Sequence, residues 1–308
     1  MLKKYLLTWI TVACCSYPTY AAELTFTAIG DQPYFSDEAF SALIKKINAD
    51  VSSQFTIHVG DIKNGANTCS DERFLSVKKL FDEFTQALVY TPGDNEWTDC
   101  HRTSNGSYNQ LERLHKLRTL FFPEAKSLGQ RKIKLERQGD LSTTHHAYVE
   151  NVRWTIQQIT FITINQVGSN NNLDPEVPGA IAEYKDRNAA NMAWLKESFK
   201  HASHSAAIVV AMQSDILDPR IPKESGFKEF IETIATLALR YKKPVLLIQG
   251  DSHQFKVDQP IQDQRGVTIP NILRMIIPGA SLVQAVQVKV NTERPTITDV
   301  FSFKKYGY

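Results

Sequence analysis

The sequence predicts an α/β sandwich that forms a single domain. Short apolar runs typical of strands alternate with longer amphipathic segments typical of helices through most of the 308 residues. Neighbouring strand-like runs within 143–164 and 272–303 look antiparallel, which indicates a second sheet or long sheet edges. No linker and no repeat of fold-unit length interrupts the pattern, so one domain is predicted over residues 23–308.

The composition is that of a globular protein. The chain is 42% hydrophobic and 22% charged, which argues against global disorder. Its formal net charge is +2, and Lys3 and Lys4 contribute to that value at the extreme N-terminus. Without these two lysines the chain is close to neutral. Neither nucleic acid nor an anionic membrane is therefore expected as its main partner.

Residues 1–22 predict an export signal. Lys3 and Lys4 form a positive start, an apolar run covers residues 5–15, and small residues stand at the cleavage positions near 19–21. The run is too short for a transmembrane helix. No membrane span is expected once the signal is removed, and the predicted location is periplasmic or secreted. Two alternatives stay open: a buried N-terminal helix, and lipid attachment at Cys14.

The first half of the domain alternates strand and helix. Three runs are rich in β-branched and apolar residues and stop at glycine or proline; they are Leu24–Ile29, Phe55–Val59 and Ala87–Thr91. Three segments repeat apolar residues at helical spacing; they are Asp37–Asn48, a segment from Ser70 or Asp71 to Gln86, and Leu111–Phe122. Asp37 is expected as the N-cap of the first helix.

The second half begins with two predicted strands, Thr143–Val149 and Trp154–Ile164, joined by a turn at Glu150–Asn151. Residues 165–180 hold three consecutive asparagines and two prolines, which predicts a long loop. Two further helices are predicted, at Ile181–Lys200 and Phe227–Tyr241. The remaining strands are predicted at Ala206–Met212, Val245–Gln249, Ile272–Ile277, Val283–Val290 and Thr296–Phe303.

Two cysteines, Cys69 and Cys100, remain after removal of the predicted signal. In an exported protein two cysteines are expected to pair. Both follow Gly-Asp turns, so a disulfide would tie two loops together. The alternatives are two free thiols and, less favoured, metal ligation.

Four strand-like runs end in the dipeptide Gly-Asp, which brings Asp31, Asp61, Asp94 and Asp251 to strand ends, and His253 follows the last of them. Strand ends on one edge of a sheet converge, and that is where open α/β sheets bind ligands. Four converging carboxylates repel one another unless a cation neutralises them. A single Gly-Asp is more often a turn or a helix cap, whereas four in this arrangement favour a site for one or two divalent metal ions.

The motifs resemble those of the calcineurin-like metallophosphoesterase superfamily, in a variant found in exported bacterial proteins. The resemblance covers residues 24–255 and rests on five stretches, which are GDQP at 30–33, GDIKNG at 60–65, GDNEW at 93–97, MQS at 212–214 and GDSH at 250–253. It implies a four-layer α/β/β/α sandwich with two mixed sheets. It also implies that Asp61 is shared between two metals, with Asp31 and His253 on one and Asp94 and Asp251 on the other.

The chain departs from the family pattern at several positions. Pro33, Gln213 and Asp251 stand where the family has histidine ligands, and Asp94 stands where it has an asparagine ligand. These exchanges favour oxygen-preferring ions such as Mn²⁺, Mg²⁺ or Ca²⁺, with zinc or iron as further options.

Asn95 stands at the position of the family's general acid and cannot protonate a leaving group near neutral pH. His101, six residues further on, is a candidate substitute. The alternative for His101 is an ordinary polar loop histidine.

Two functions follow from the sequence. The first is an exported phosphoesterase that hydrolyses a small phosphomonoester or phosphodiester with metal-activated water. The second is a catalytically inactive protein that binds a metal or a phosphorylated ligand on the same scaffold. A serine hydrolase and a dinucleotide-binding enzyme are disfavoured, because the sequence has neither a Gly-x-Ser-x-Gly nor a Gly-x-Gly-x-x-Gly motif.

Overall fold

The computed structural model describes residues 23–294 and 296–307. The strands within these residues are β1 (Glu23–Ile29), β2 (Phe55–His58), β3 (Ala87–Tyr90), β4 (Glu136–Arg137), β5 (Val152–Ile156), β6 (Ile159–Thr163), β7 (Ala207–Ala211), β8 (Val245–Gln249), β9 (Lys256–Asp258), β10 (Ile272–Ile276), β11 (Gln284–Asn291) and β12 (Phe301–Gly307).

The helices are α1 (Asp37–Ala49), α2 (Asp71–Phe81), α3 (Gln110–Phe121), α6 (Ala180–His201) and α7 (Lys228–Tyr241), with the short segments α4 (Gln138–Leu141), α5 (Gly168–Asn171) and α8 (Ile297–Val300) between and after them. Short 3-10 turns occur at Thr98–His101, Thr103–Asn105 and Ala202–His204. No helix in the described ranges is long and apolar enough to cross a membrane.

The strands form two mixed sheets. The first has the order β12-β11-β1-β2-β3, and the second has the order β4-β5-β6-β7-β8-β10-β9. In the first sheet β1, β2 and β3 are parallel, and in the second β6, β7, β8 and β10 are parallel. Consecutive parallel strands end at the same edge of a sheet, so each sheet presents several carboxyl-terminal strand ends together.

The sheets pack face to face and helices cover their outer surfaces. One core lies between the sheets, where Phe55 contacts Phe26 and Phe161 at ring-centroid distances of 5.4 and 5.0 Å. A second core joins the first sheet to α1, α2 and α3, and a third joins the second sheet to α6 and α7. The predicted four-layer α/β/β/α sandwich is thereby confirmed.

The ends of the first two helices differ from the prediction. Ser36, rather than Asp37, caps α1, because its Oγ accepts a hydrogen bond from the amide of Ala39 at 3.0 Å. Helix α2 ends at Phe81 instead of continuing to Gln86. Beyond that point Nδ2 of Asn48 donates to the backbone carbonyl of Glu83, and Oδ1 of Asn48 accepts from the backbone amide of Thr85. These backbone groups are therefore not hydrogen-bonded within a helix.

The predicted strand at Thr143–Val149 is wrong, because that segment forms turns. The antiparallel hairpin is instead β5–β6, and its turn lies at Gln157 and Gln158. Both glutamines have positive φ, 47° and 62°, as a two-residue hairpin turn requires. Glutamine is not a usual residue for such a turn, so this turn could not be predicted from its residues.

Near the C-terminus, strand β9 and helix α8 were not predicted. Strand β9 has three residues, which is too short for a periodic pattern to be recognised. Residues 297–300 belong to α8, and β12 begins only at Phe301. The predicted export signal at residues 1–22 and the alternative lipid attachment at Cys14 lie outside the described residues.

Candidate metal centre

The four Gly-Asp dipeptides follow β1, β2, β3 and β8, and the loops after these strands meet. The amide of Asp31 donates to the carbonyl of Gly60 at 2.9 Å, which joins the first two loops. The amide of Asp251 donates to Oδ1 of Asp31 at 3.0 Å, which joins the loop of the second sheet to that of the first. The site therefore lies where the edges of both sheets come together.

Two groups of three side chains lie close enough to hold a cation. Asp31, Asp61 and His253 form one group, the histidine triad, and Asp61, Asp94 and Asp251 form the other, the carboxylate triad. Within each triad one possible ligand atom from every residue lies within 4.8 Å of the others. Asp61 belongs to both triads. This cluster could bind metal, and its members are the five residues that the sequence indicated as ligands.

Glycines make this close approach possible. A Cβ atom on Gly93 would lie 2.2 Å from Oδ1 of Asp61, and one on Gly250 would lie 2.6 Å from Oδ2 of Asp31. On Gly168 it would lie 2.7 Å from Oδ2 of Asp94 and 3.0 Å from Oδ1 of Asp251. In two of the four motifs, at Gly93 and Gly250, the glycine thus packs against the aspartate of another motif.

The backbone is strained at the same residues. Asp31, Asp61 and Asp251 have φ values of 52°, 60° and 68°, and His253 has φ of 61°. Aspartate enters this left-handed region more readily than most residues but still at a cost. Backbone strain of this kind collects at functional sites, where the surrounding contacts hold it in place.

Two neighbours hold the carboxylate of Asp61. The phenol of Tyr34 donates to Oδ2 at 2.6 Å, and Nδ2 of Asn95 donates to the same oxygen at 2.8 Å. Tyr34 also lies 3.4 Å from Nε2 of His253, whose other close neighbour is Oδ1 of Asp31 at 3.5 Å. Sequence reasoning missed Tyr34, although its position three residues after Asp31 in a strand-end loop was a usable signal.

The side chain of Glu96 links the loop after β2 to the loop after β3. Its side chain is fully buried and accepts from the amides of Asp61, Ile62 and Gly93 at 3.1, 3.3 and 2.6 Å, and from the phenol of Tyr90 at 2.8 Å. The backbone around Asp61 is therefore fixed relative to the loop that carries Asp94. No role for Glu96 was predicted from the sequence, because its contacts join residues that are far apart in the chain.

The predicted loop at 165–180 contributes a left-handed turn to the site. Residues 169–172 have φ values of 48°, 55°, 58° and 60°, a conformation that asparagine tolerates. Arg187 of α6 holds the turn, since its guanidinium donates to Oδ1 and to the carbonyl of Asn171 and lies over the ring of Trp97. The turn presents Oγ of Ser169 to Oδ2 of Asp94 at 2.8 Å and to Oδ1 of Asp99 at 3.1 Å.

The electrostatics of the cluster favour a cation. Burial raises the pKa of Asp61 well above its usual range, and the neighbouring carboxylates of Asp94 and Glu96 raise it further. Burial also raises the pKa of Asp251 well above its usual range, and the carboxylates of Asp94 and Asp31 raise it further. Burial raises the pKa of Glu96 to about 7 and that of Asp99 to about 8. The ionised cluster is thus unfavourable without a positive charge.

Two buried carboxylate oxygens without hydrogen-bond partners also indicate a cation site. Oδ2 of Asp31 and Oδ1 of Asp94 are buried and have no hydrogen-bond partner within 23–294 and 296–307. Buried carboxylate oxygens normally have partners. The ammonium of Lys63 lies near the carboxylates of the cluster, but it donates to the carbonyl of Asn64 at 3.0 Å and not to these two oxygens. The donor set, its burial and its unpaired oxygens therefore fit a divalent cation.

The two predicted catalytic residues lie in different surroundings. Asn95 is part of the cluster through its bonds to Asp61 and Tyr34. Nδ1 of His101 hydrogen-bonds to the carbonyl of Thr98 at 2.7 Å and lies 3.2 Å from the side-chain Nε2 of Gln110. His101 lines a separate cavity of about 650 Å³. None of these contacts of His101 is to a residue of either triad.

The predicted disulfide between Cys69 and Cys100 is confirmed, with a Cα–Cα distance of 5.8 Å. It joins the loop after β2 to the 3-10 turn after β3. The Sγ atoms of Cys69 and Cys100 lie 3.4 and 3.7 Å from the carbonyl oxygen of Asn95. The covalent link therefore supports the backbone of the residue that holds Asp61.

No protein-family model and no curated protein matches the chain. Among solved structures it is similar to GAP50, the anchor in the inner membrane complex of Plasmodium, with a TM-score of 0.50 and 13% identity over 92% of this chain and 89% of that one. It also matches a purple acid phosphatase from yellow lupin (TM-score 0.46, 12% identity, 94% and 55% of the two chains). A 5'-nucleotidase precursor from Thermus thermophilus gives a TM-score of 0.40 at 13% identity, over 92% and 54%.

The chain spans about half the length of the lupin and Thermus proteins. At these identities the likeness concerns the fold.

Proposed function

Because the chain has the fold of the calcineurin-like metallophosphoesterases, we propose that it is a metal-dependent phosphoesterase acting on a small phosphomonoester or phosphodiester. The observation that carries the proposal is the pair of triads that share Asp61. One carboxylate between two cation positions is the arrangement used by two-metal hydrolases of phosphate esters.

The chain's own residues have distinct roles in this proposal. Asp31, Asp61, Asp94, Asp251 and His253 would hold one or two ions, with Asp61 common to both. A bound divalent ion supplies Lewis-acid polarisation of a phosphoryl oxygen and neutralises charge on the ester. Tyr34 and Asn95 orient the shared carboxylate by donating to Oδ2 of Asp61. The four carboxylates among the five ligands favour Mn²⁺, Mg²⁺ or Ca²⁺, and the imidazole of His253 also admits zinc or iron.

The test combines metal analysis with a hydrolysis assay. Purified protein is stripped of metal and assayed with p-nitrophenyl phosphate and bis(p-nitrophenyl) phosphate in the presence of Mn²⁺, Mg²⁺, Ca²⁺ or Zn²⁺. We expect turnover with at least one ion and its loss, by a factor of roughly 10² or more, in Asp61→Asn.

Asp186→Asn is a matched control, since Asp186 is exposed on α6 and lies outside both triads. Activity retained in Asp61→Asn would contradict the assigned role of the shared carboxylate.

A second candidate, a non-catalytic binding protein, is favoured by the surroundings of Asn95 and His101. Asn95 uses its amide to hold Asp61 and has no proton to give near neutral pH. The contacts of His101 are with Thr98 and Gln110. The fold also occurs in GAP50, which is described as an anchor. This candidate predicts ion or phosphate binding, measured by calorimetry, without turnover under any of the four ions.

We further propose that the protein is exported, with residues 1–22 as a signal peptide and residues 23–308 as the phosphoesterase domain. The disulfide supports this, because such bonds persist mainly in oxidising compartments. Expression of the full chain with cell fractionation and N-terminal sequencing of the product is the test. A mature N-terminus near residue 23 is expected, whereas cytoplasmic protein that keeps Met1 would contradict it.

A further inference from the structure

We propose that the two triads bind different ions, an inference that rests on the proposed function. The histidine triad would take a borderline ion such as Zn²⁺, and the carboxylate triad would take a hard ion such as Mn²⁺ or Mg²⁺. The protein would then reach its fully loaded state only with one ion of each kind. The reasons lie in the donor atoms, in the orientation of Gln213 and in the charge around each position.

The donor atoms differ between the two positions. Asp31, Asp61 and His253 offer two carboxylates and one imidazole nitrogen, whereas Asp61, Asp94 and Asp251 offer three carboxylates. Imidazole nitrogen suits zinc and other later transition metals, while carboxylate and water oxygen suit magnesium, calcium and manganese. Since Asp61 is common to both, the difference rests on the other two residues of each triad.

Gln213 does not add a nitrogen ligand to the carboxylate triad. Its Oε1 accepts a hydrogen bond from the amide of Gly168 at 2.5 Å, which fixes the orientation of the side-chain amide. Its Nε2 has no hydrogen-bond partner in the described part of the chain, and an amide nitrogen has no lone pair to offer a cation. Gln213 therefore supplies no nitrogen ligand at this position, and the donor atoms of the triad are oxygens.

The charge around the two positions also differs. Beside the carboxylate triad, the further carboxylates of Glu96 and Asp99 face cations, since Lys63 lies near both and Arg102 pairs with Asp99 at 2.6 Å. His253, in contrast, is more than a third exposed and is neutral when it acts as a ligand. With their carboxylates ionised, the carboxylate triad carries three negative charges and the histidine triad two. A small, strongly charged oxygen-preferring ion gains most there.

A reciprocal pair of variants tests the inference without an activity assay. Metal-free full-length protein is titrated with Zn²⁺ and with Mn²⁺ by calorimetry, and crystals loaded with both ions are examined by anomalous scattering at each absorption edge. We expect one tight equivalent of Zn²⁺ at His253 and Mn²⁺ at Asp251. Asp251→His should raise the tight zinc equivalents from one to two. His253→Asp should lower zinc affinity at its triad by more than about tenfold, the scale on which even outer-shell changes act.

The outcomes separate the inference from the proposed function. Two bound ions with no preference between the triads, or Mn²⁺ at His253 and Zn²⁺ at Asp251, would overturn the inference and leave a two-metal phosphoesterase intact. Absence of any ion from both triads in the wild-type crystals would overturn both. The wild-type diffraction experiment decides the question even if one of the variants fails to fold.

Discussion

Replacing Glu96 by alanine should destabilise the protein strongly, because this one side chain satisfies groups from two loops. Its Oε1 accepts from the amides of Asp61 and Gly93 and from the phenol of Tyr90, and its Oε2 accepts from the amide of Ile62. All lie in the fully buried surroundings of Glu96. Alanine would leave these donors without a partner.

The size of the effect follows from the number of donors. A buried donor left unsatisfied costs roughly 1–3 kcal/mol. Glutamine at position 96 keeps one oxygen, which can still serve the three donors that now bond to Oε1, and it also removes the buried charge. The free energy of unfolding of Glu96→Ala should therefore lie about 3 kcal/mol or more below that of Glu96→Gln, which is a large part of a typical total of roughly 5–15 kcal/mol.

The assay is urea denaturation of metal-free protein followed by tryptophan fluorescence, to which the buried Trp97 next to the substituted residue contributes. Glu232→Ala provides the control, since Glu232 is exposed on α7 and a surface substitution is expected to change stability by less than about 0.5 kcal/mol. If Glu96→Ala and Glu96→Gln unfold within about 1 kcal/mol of each other, Glu96 does not hold the two loops as described.

Three further predictions concern other parts of the chain. His58 is buried and its pKa is lowered from 6.5 to about 4 by burial, so the unfolded state binds the proton more readily and stability should fall as the pH drops from 6.5 to 4. In His58→Asn that pH dependence, measured by denaturation, should be smaller by roughly 3 kcal/mol, and an unchanged slope would exclude His58 as its source. The double variant Cys69→Ser and Cys100→Ser should lose roughly 3–4 kcal/mol in thermal or urea unfolding, because the disulfide closes a loop with a sequence separation of 31; a loss below about 1 kcal/mol would contradict this. Arg187→Met should cost roughly 3–5 kcal/mol, since it leaves the buried carboxylate of Glu183 unpaired, and a stability equal to that of the wild type would show that the left-handed turn does not need this anchor.

The strand ends were predictable because two local signals coincide there. An apolar run predicts a strand from its own residues, and the Gly-Asp that follows fixes where the strand ends. Since parallel strand ends share a sheet edge, the proximity of Asp31, Asp61 and Asp94 followed from topology alone. Asp251 was indicated by the same strand-end signal, although its strand, β8, belongs to the other sheet.

The contacts around the site were not predictable from local sequence. Glu96 and Tyr34 act on residues in other loops, and a pattern along the chain does not record which loops meet. The hairpin turn at Gln157 and Gln158 was missed for a different reason. There the packing of β5 against β6 imposes a positive φ on residues that rarely adopt it, so tertiary structure overrides local preference.

The packing of Gly93 against Asp61 and of Gly250 against Asp31 has a consequence for how the donor atoms of such a site can be changed. The glycines set how closely the backbones approach, whereas the residue after each glycine supplies the donor atom. At Gly250 and Asp251 the two properties lie at separate positions, so Asp251 can be exchanged for histidine while the loops keep their paths, whereas Asp31 also joins two loops by accepting from the amide of Asp251. Gly93→Ala should instead displace Asp61, a residue of a neighbouring loop. The metal preference of the site can therefore be changed at Asp251 while Gly250 is kept.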